Sequence, residues 1–210
     1  MQTQYLEMQR HQCVSVHQCF SCPLHENALE SPHAVPDAQY AYAPEGISQT
    51  MATLTFRPLT PADEPFLWDM LYLALYVPPG QPALPRDVLR HPQISHYVQG
   101  WGQADDMGVL ALDGDRPIGA AWLRMLAGEN RGYGYVDETT PELSIAVLPE
   151  YRGLGVGSAL LSRLLEAARS RFAAVCLSVS PENPARRLYE RMGFRVVNDE
   201  PPSITMVKRY

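Results

Sequence analysis

Glycines stand at positions 153, 155 and 157 of the stretch PEYRGLGVGSALL, residues 149–161, directly before a run with helical spacing. Glycine inside an element costs about 0.5–1 kcal/mol relative to alanine, so this clustering has a physical reason: a demanding turn, or a ligand that comes close to the backbone. A strand that turns at once into a helix points the unpaired N–H groups of the first helical turn into the space beyond the strand end. With about half a positive charge of helix dipole, those groups form an anion site. Bare positions at Gly153, Gly155 and Gly157, with Leu154, Val156 and Ser158 between and after them, suit a diphosphate, and Arg152 adds a cation at the rim. A tight turn that only packs is the plainer alternative.

Two nucleotide readings fit poorly. A phosphate loop of the NTPase kind needs Lys followed by Ser or Thr after the last glycine, whereas Gly157 is followed by Ser158 and Ala159. A dinucleotide fold asks for a ribose-binding acid at the end of the next strand, and that strand reads VCLSVS.

The elements that must position this loop follow from pattern. From Met51 the chain reads as a strand over 54–57 and a helix over about 61–76, capped by Thr60 with Pro61 and Asp63. A Pro-rich turn and a second helical region near 93–101 come next. Residues 107–112 and 117–126 flank DGDR as a hairpin, with Gly119 marking a bulge. In ELSIAVL, Leu143, Ile145 and Val147 alternate with Glu142, Ser144 and Ala146, as in a strand. A helix over 157–172, a strand over 174–179, a short helix from Asn183 to the stop at Gly193, and two closing strands complete the order. On the short helix, Leu188 and Met192 share a face and are expected inside, with Tyr189 off that stripe.

Residues 183–194, NPARRLYERMGF, supply the second block. Together, R-G-L-G-V-G at 152–157 and this block resemble the GNAT superfamily of N-acetyltransferases, over roughly 54–208. The resemblance implies an α/β fold: a mixed, mostly antiparallel sheet flanked by helices, with a parallel strand pair that splays around a strand–helix–strand crossover. It implies acetyl-CoA as co-substrate in the gap. The backbone of Ala146 and Val147 would then hold the pantetheine arm, and residues 152–158 the diphosphate. Asn183 resembles the family's cofactor-contacting asparagine, although capping a helix explains it as well. Arg187 is positioned to reach a coenzyme A phosphate or to be a solvated helix charge. Tyr189 takes the place of the general acid toward the coenzyme A sulfur.

A primary amine is protonated at neutral pH, so attack on a thioester also needs a base. Glu142, on the cleft-side strand, is the candidate, against the ordinary expectation that such an acid is exposed. Acceptor specificity is expected in residues 76–102 and 126–140. In the second segment Tyr133, Tyr135, Asp137 and Glu138 suit a cationic amine met by rings and carboxylates.

The 210 residues are 46% apolar with a net charge of −6, which suits one soluble domain with some excess and gives no nucleic-acid footprint. The apolar run over 66–77 is too short to span a membrane, and the N-terminus lacks a signal core, so a cytoplasmic location is the default. Residues 1–50, rich in Gln, His, Ser and Pro with one arginine against five acids, read as a disordered or weakly helical extension. The N-acetyltransferase domain is expected over 51–210, with Met51 as a candidate initiator. Cys13, Cys19 and Cys22 with His11, His17 and His25 lack the paired knuckles of a zinc site, and no metal is expected. The expected acceptor is an amine of a small molecule or peptide. A homodimer is left open, and a coenzyme A-binding sensor or scaffold without transfer is the alternative function.

Overall fold

The structure, a computed structural model, describes residues 54–201 and 203–210, which belong to one unit, Ala52–Tyr210. The extension, its Cys/His segment and Met51 lie outside the described residues. Seven strands form one sheet: β1 (Leu54–Pro58), β2 (Met107–Asp113), β3 (Arg116–Arg124), β4 (Glu142–Val147), β5 (Ala174–Val179), β6 (Arg195–Asn198) and β7 (Ile204–Arg209). Their order is β1-β2-β3-β4-β5-β7-β6. All neighbours are antiparallel except β4 and β5, the pair joined through a helix. The mixed sheet and its single parallel pair are those the resemblance implied.

Four helices flank the sheet: α1 (Glu64–Ala74), α2 (Pro92–Ser95), α3 (Val156–Ala168) and α4 (Arg186–Arg191). The apolar stripe of α3, Leu160, Leu161, Leu164 and Leu165, packs with Ala121, Leu123 and Leu143 on one face of the sheet. On the other face Leu67, Met70 and Leu71 of α1 pack with Leu110, Ala120, Trp122 and Ala146. Each fully buried leucine contributes about 1.5–3 kcal/mol by leaving water. Because both faces are covered, strand alternation here separates two cores rather than inside from outside.

The hairpin over 107–124 carries the expected irregularity. Ala111 pairs with Gly119 but Leu112 with Pro117, so Ile118 is an extra residue. The bulge reverses facing: Ile118 joins the α3 core, while Ala120, two residues on, joins the α1 core. Gly119 is bare because a Cβ would press on the Ala146 carbonyl oxygen at 3.0 Å.

Segments that sequence periodicity treats as uniform are finer in the structure. The first helix enters through a 3-10 turn, Pro61–Asp63, where Asp63 accepts from the Thr60 amide and hydroxyl. Only Pro92–Ser95 of the second helical region is α-helical. The chain beyond it is held by Arg124 on β3, whose guanidinium donates to the carbonyls of His96 at 3.0 Å and Gln99 at 2.8 Å and pairs with Asp106. Trp122 Nε1 donates to the Tyr97 carbonyl at 2.9 Å. These bonds fix Tyr97 over the start of β4. Among the described residues no helix is long and apolar enough to cross a membrane.

Candidate active site

Strands β4 and β5 are registered through one pair, Glu142 with Cys176, at the N-terminal part of each strand. Toward their C-terminal ends they part, and the gap opens into a cleft of about 770 Å³. Ile145, Ala146 and Val147 of β4 form one side, and Asn183, Pro184, Ala185, Leu188 and Tyr189 before and along α4 form the other. Arg152, Gly153 and Gly157 of the glycine loop close one end, while the end of α1 and the strap after it, residues 75–84, complete the lining.

The glycine loop divides into two kinds of glycine. Gly153 has φ +75° and Gly155, the N-cap of α3, has φ +82°, a left-handed backbone that disfavours any side chain. A Cβ at either would meet nothing within 4 Å, so conformation accounts for them without a ligand. Gly157 is helical, and its Cβ would make only ordinary 3.9 Å contacts with Leu188 and Val147. Neither strain nor crowding within the protein requires glycine there, and Gly157 lines the cleft. The amides of Gly153, Leu154 and Gly155 make no hydrogen bond among the described residues, and those of Val156, Gly157 and Ser158 precede the first helical bond, Ala159 N–H to Gly155 O at 3.0 Å. Such bare amides at a helix start fit a diphosphate, the group that coenzyme A would present there.

Of the residues singled out in the sequence, Ala146, Val147, Arg152, Gly153, Gly157, Asn183 and Tyr189 meet on the cleft. Leu154 points to solvent, Val156 is in the α3 core, Gly155 and Ser158 flank the lining, and Arg187 is exposed outside it. Arg152 Nε donates to the Val147 carbonyl at 3.1 Å, so side chain and strand end are tied together. Asn183 Oδ1 accepts from the Ala185 amide at 2.9 Å, which starts the turn into α4 and leaves its NH2 group without a partner among the described residues.

The facing of α4 is the reverse of the sequence expectation. Tyr189 is its buried residue, at 9% exposure, whereas Leu188 and Met192 are half-buried. A six-residue helix between sheet and cleft packs on two sides, and the ring of Tyr189 meets Phe194 edge-on at 6.0 Å. The Tyr189 hydroxyl makes no hydrogen bond among the described residues, and burial pushes its pKa up to about 12. It is a proton donor throughout the neutral range.

Glu142 is not a solvated acid. It is 4% exposed, at the closed end of the gap, and does not line the cleft. Its Oε1 accepts from the Tyr97 hydroxyl at 2.9 Å and the Gly134 amide at 2.8 Å, while Oε2 is buried without a partner. Desolvation raises its pKa to about 7 against the lowering effect of those two bonds. A Cβ on Gly132 would collide with the Glu142 carboxylate and the Tyr97 hydroxyl, and one on Gly134 with the Leu177–Ser178 backbone first and the carboxylate second. Tyr97 and these glycines escaped the sequence reading. The G-x-G within GENRGYGYVDETT was the available signal of a close approach.

The acids of that loop are engaged locally. Asp137 accepts from Thr139 and Thr140, and Glu138 from Tyr135, Arg131 and the Gly128 amide. None of Tyr133, Tyr135, Asp137 or Glu138 lines this cleft.

Residues 68–194 match the model of the Acetyltransferase (GNAT) family. The N-alpha-acetyltransferase of Sulfurisphaera tokodaii is 45% identical over 58 residues, 26% of this chain and 35% of the relative. The ribosomal protein bS18-alanine N-acetyltransferase of Haemophilus influenzae is 39% identical over 64 residues, 30% of this chain and 43% of the relative. The chain thus spans less than half the length of either curated relative. The crystal structure of PaiA N-acetyltransferase from Thermoplasma acidophilum in complex with coenzyme A is similar in fold, with a TM-score of 0.55 and 18% identity over 75% of this chain and 99% of that one. With the family model spanning well over half its length, this chain belongs to the GNAT family of acetyltransferases.

Proposed function

We propose that the protein transfers an acetyl group from acetyl-CoA to a primary amine of a small molecule or peptide by direct attack. The observation that carries this reading is the parting of β4 and β5 beside the bare amides that open α3. Gly157 and the amides of residues 153–158 receive the diphosphate with Arg152 at the rim, Ala146 and Val147 align the pantetheine arm, and the Asn183 NH2 group meets the same co-substrate. Arg187 stands outside this lining and serves at most an outlying phosphate.

The amine nitrogen forms its bond to the thioester carbonyl carbon as the carbon–sulfur bond breaks. Tyr189 gives its proton to the departing thiolate, and its raised pKa supports that role. The proton lost by the amine ends on Glu142, whose pKa of about 7 suits a base near neutrality. Glu142 does not line the cleft, so its role as base rests on its proton affinity and its place at the end of the gap, not on contact with the acceptor.

One observation favours the alternative of a coenzyme A-binding module without transfer: the only acid assigned to catalysis is sealed from the cleft. Calorimetric titration with acetyl-CoA, followed by a thiol-release assay on a panel of amines, separates the two. Binding with turnover supports transfer, binding without turnover on any amine supports the module, and no binding contradicts both.

A further inference from the structure

We infer, resting on the acetyl-transfer reading above, that the acceptor is a single primary amine on an uncharged, apolar body, and that polyamines are poor acceptors. The end of α1 and the strap after it complete the wall of the cleft, with Leu73, Tyr76, Val77, Pro79 and Leu84 on the lining. Among the described residues no aspartate or glutamate lines the cleft, and the one charged residue that does, Arg152, is itself a cation. A polyamine would bring two or more ammonium groups into this space. Each would leave water with no carboxylate to meet it, a loss that aliphatic carbons do not offset and that contact with tyrosine faces offsets only in part.

Four acids of the neighbouring segments are engaged elsewhere. Asp69 pairs with Arg86 at 2.9 Å, Asp137 and Glu138 are bonded within their own loop, and the Glu142 carboxyl is enclosed by Tyr97 and Gly134. Glu182 meets the strap only through its backbone carbonyl, and its exposed carboxylate is outside the lining of the cleft.

The apolar wall is also held in place. The Tyr72 hydroxyl donates to the Leu84 carbonyl at 2.6 Å, which ties the far end of the strap back to α1. The Tyr76 hydroxyl donates to the Glu182 carbonyl at 3.3 Å, which ties its near end across the cleft to the segment that leads into α4. A wall fixed at both ends presents the same uncharged surface to each incoming amine, and therefore discriminates by the body behind the amine.

The test is a thiol-release assay on the full chain with acetyl-CoA and three acceptors: spermidine, phenethylamine, and an amidated peptide whose first residues are apolar and uncharged. The expected kcat/KM for at least one of the last two exceeds that for spermidine by 50-fold or more, and which of them is faster tells a small amine from a peptide terminus. Gln81 and Ala83 are exposed residues of the lining. Gln81→Glu, and Ala83→Glu as a second variant, are expected to raise kcat/KM for spermidine at least tenfold with acetyl-CoA affinity unchanged in calorimetry. Spermidine turning over as well as the apolar amines overturns the inference, as does acetyl-CoA binding with no turnover of any of the three, or a spermidine rate that neither charge insertion moves. Failure of acetyl-CoA to bind at all overturns the transfer reading itself.

Discussion

The Tyr97 hydroxyl donates to Glu142 Oε1 at 2.9 Å and accepts from the Tyr133 amide at 2.8 Å, so one buried phenol joins the segment after α2, the loop before β4 and the first residue of β4. Glu142 sits where β4 and β5 are last in register; this link holds its position, while burial raises its proton affinity against the lowering effect of the link.

The raised pKa of Glu142 has a consequence for stability. Its carboxyl titrates near 4.5 in an unfolded chain and near 7 here, so the folded state binds more protons between those values. Its contribution is therefore fully present below about pH 4.5 and is lost as pH rises to about 7, by on the order of 3 kcal/mol. Relative to Glu142→Gln, the wild-type protein is expected to lose melting temperature between pH 5 and 8. Scanning calorimetry of both proteins across that range checks it, and parallel curves contradict it.

Tyr97→Phe removes a bond that lowers the Glu142 pKa. The rise of turnover with pH is expected to move to higher pH, alongside a stability loss of about 1–3 kcal/mol from the unmet partners. A purely structural Tyr97 would lower the melting temperature and leave the pH–rate profile in place, so the profile is the deciding readout.

Tyr189→Phe keeps the ring packed against Phe194 and removes only the hydroxyl. Turnover is expected to fall roughly 10²- to 10⁴-fold while acetyl-CoA affinity in calorimetry barely changes. Unchanged turnover would remove Tyr189 from the mechanism.

Much of this site was legible in the sequence because its signals are local. The loop 152–157 announces itself through glycines at every second position of a strand-to-helix junction, and β4 through strict alternation. The partners of Glu142 were not legible: Tyr97 lies 45 residues upstream, and only Arg124 and Trp122, reaching across the sheet, bring it there. Periodicity placed Glu142 on the face opposite Leu143, as found, but did not show its burial, and it misjudged the facing of α4. With helices on both sides of the sheet, the polar register of β4 leads into a second core, and so Glu142 is buried. In α4, too short for a dominant stripe, Tyr189 takes the inner position that Leu188 and Met192 were expected to hold. The strap after α1 carries no periodic signal, and its place on the cleft depends on two tyrosine hydroxyls meeting distant carbonyls.

Gly155 and Gly157 are expected to respond to alanine in opposite ways. At Gly155, with φ +82°, alanine is strained and is expected to cost about 1–2 kcal/mol of stability. At Gly157, helical and uncrowded, alanine is expected to be neutral or to stabilise by up to about 1 kcal/mol. Thermal melts of the two variants check the contrast.

Gly157→Ala therefore also isolates the binding of acetyl-CoA from folding, and titration calorimetry of this variant beside the wild type is the most direct test of the site. The wild type is expected to bind acetyl-CoA, and the variant, with an undiminished melting temperature, to bind at least tenfold more weakly. Equal affinity of the two proteins, or no heat of binding from the wild type, would contradict this expectation.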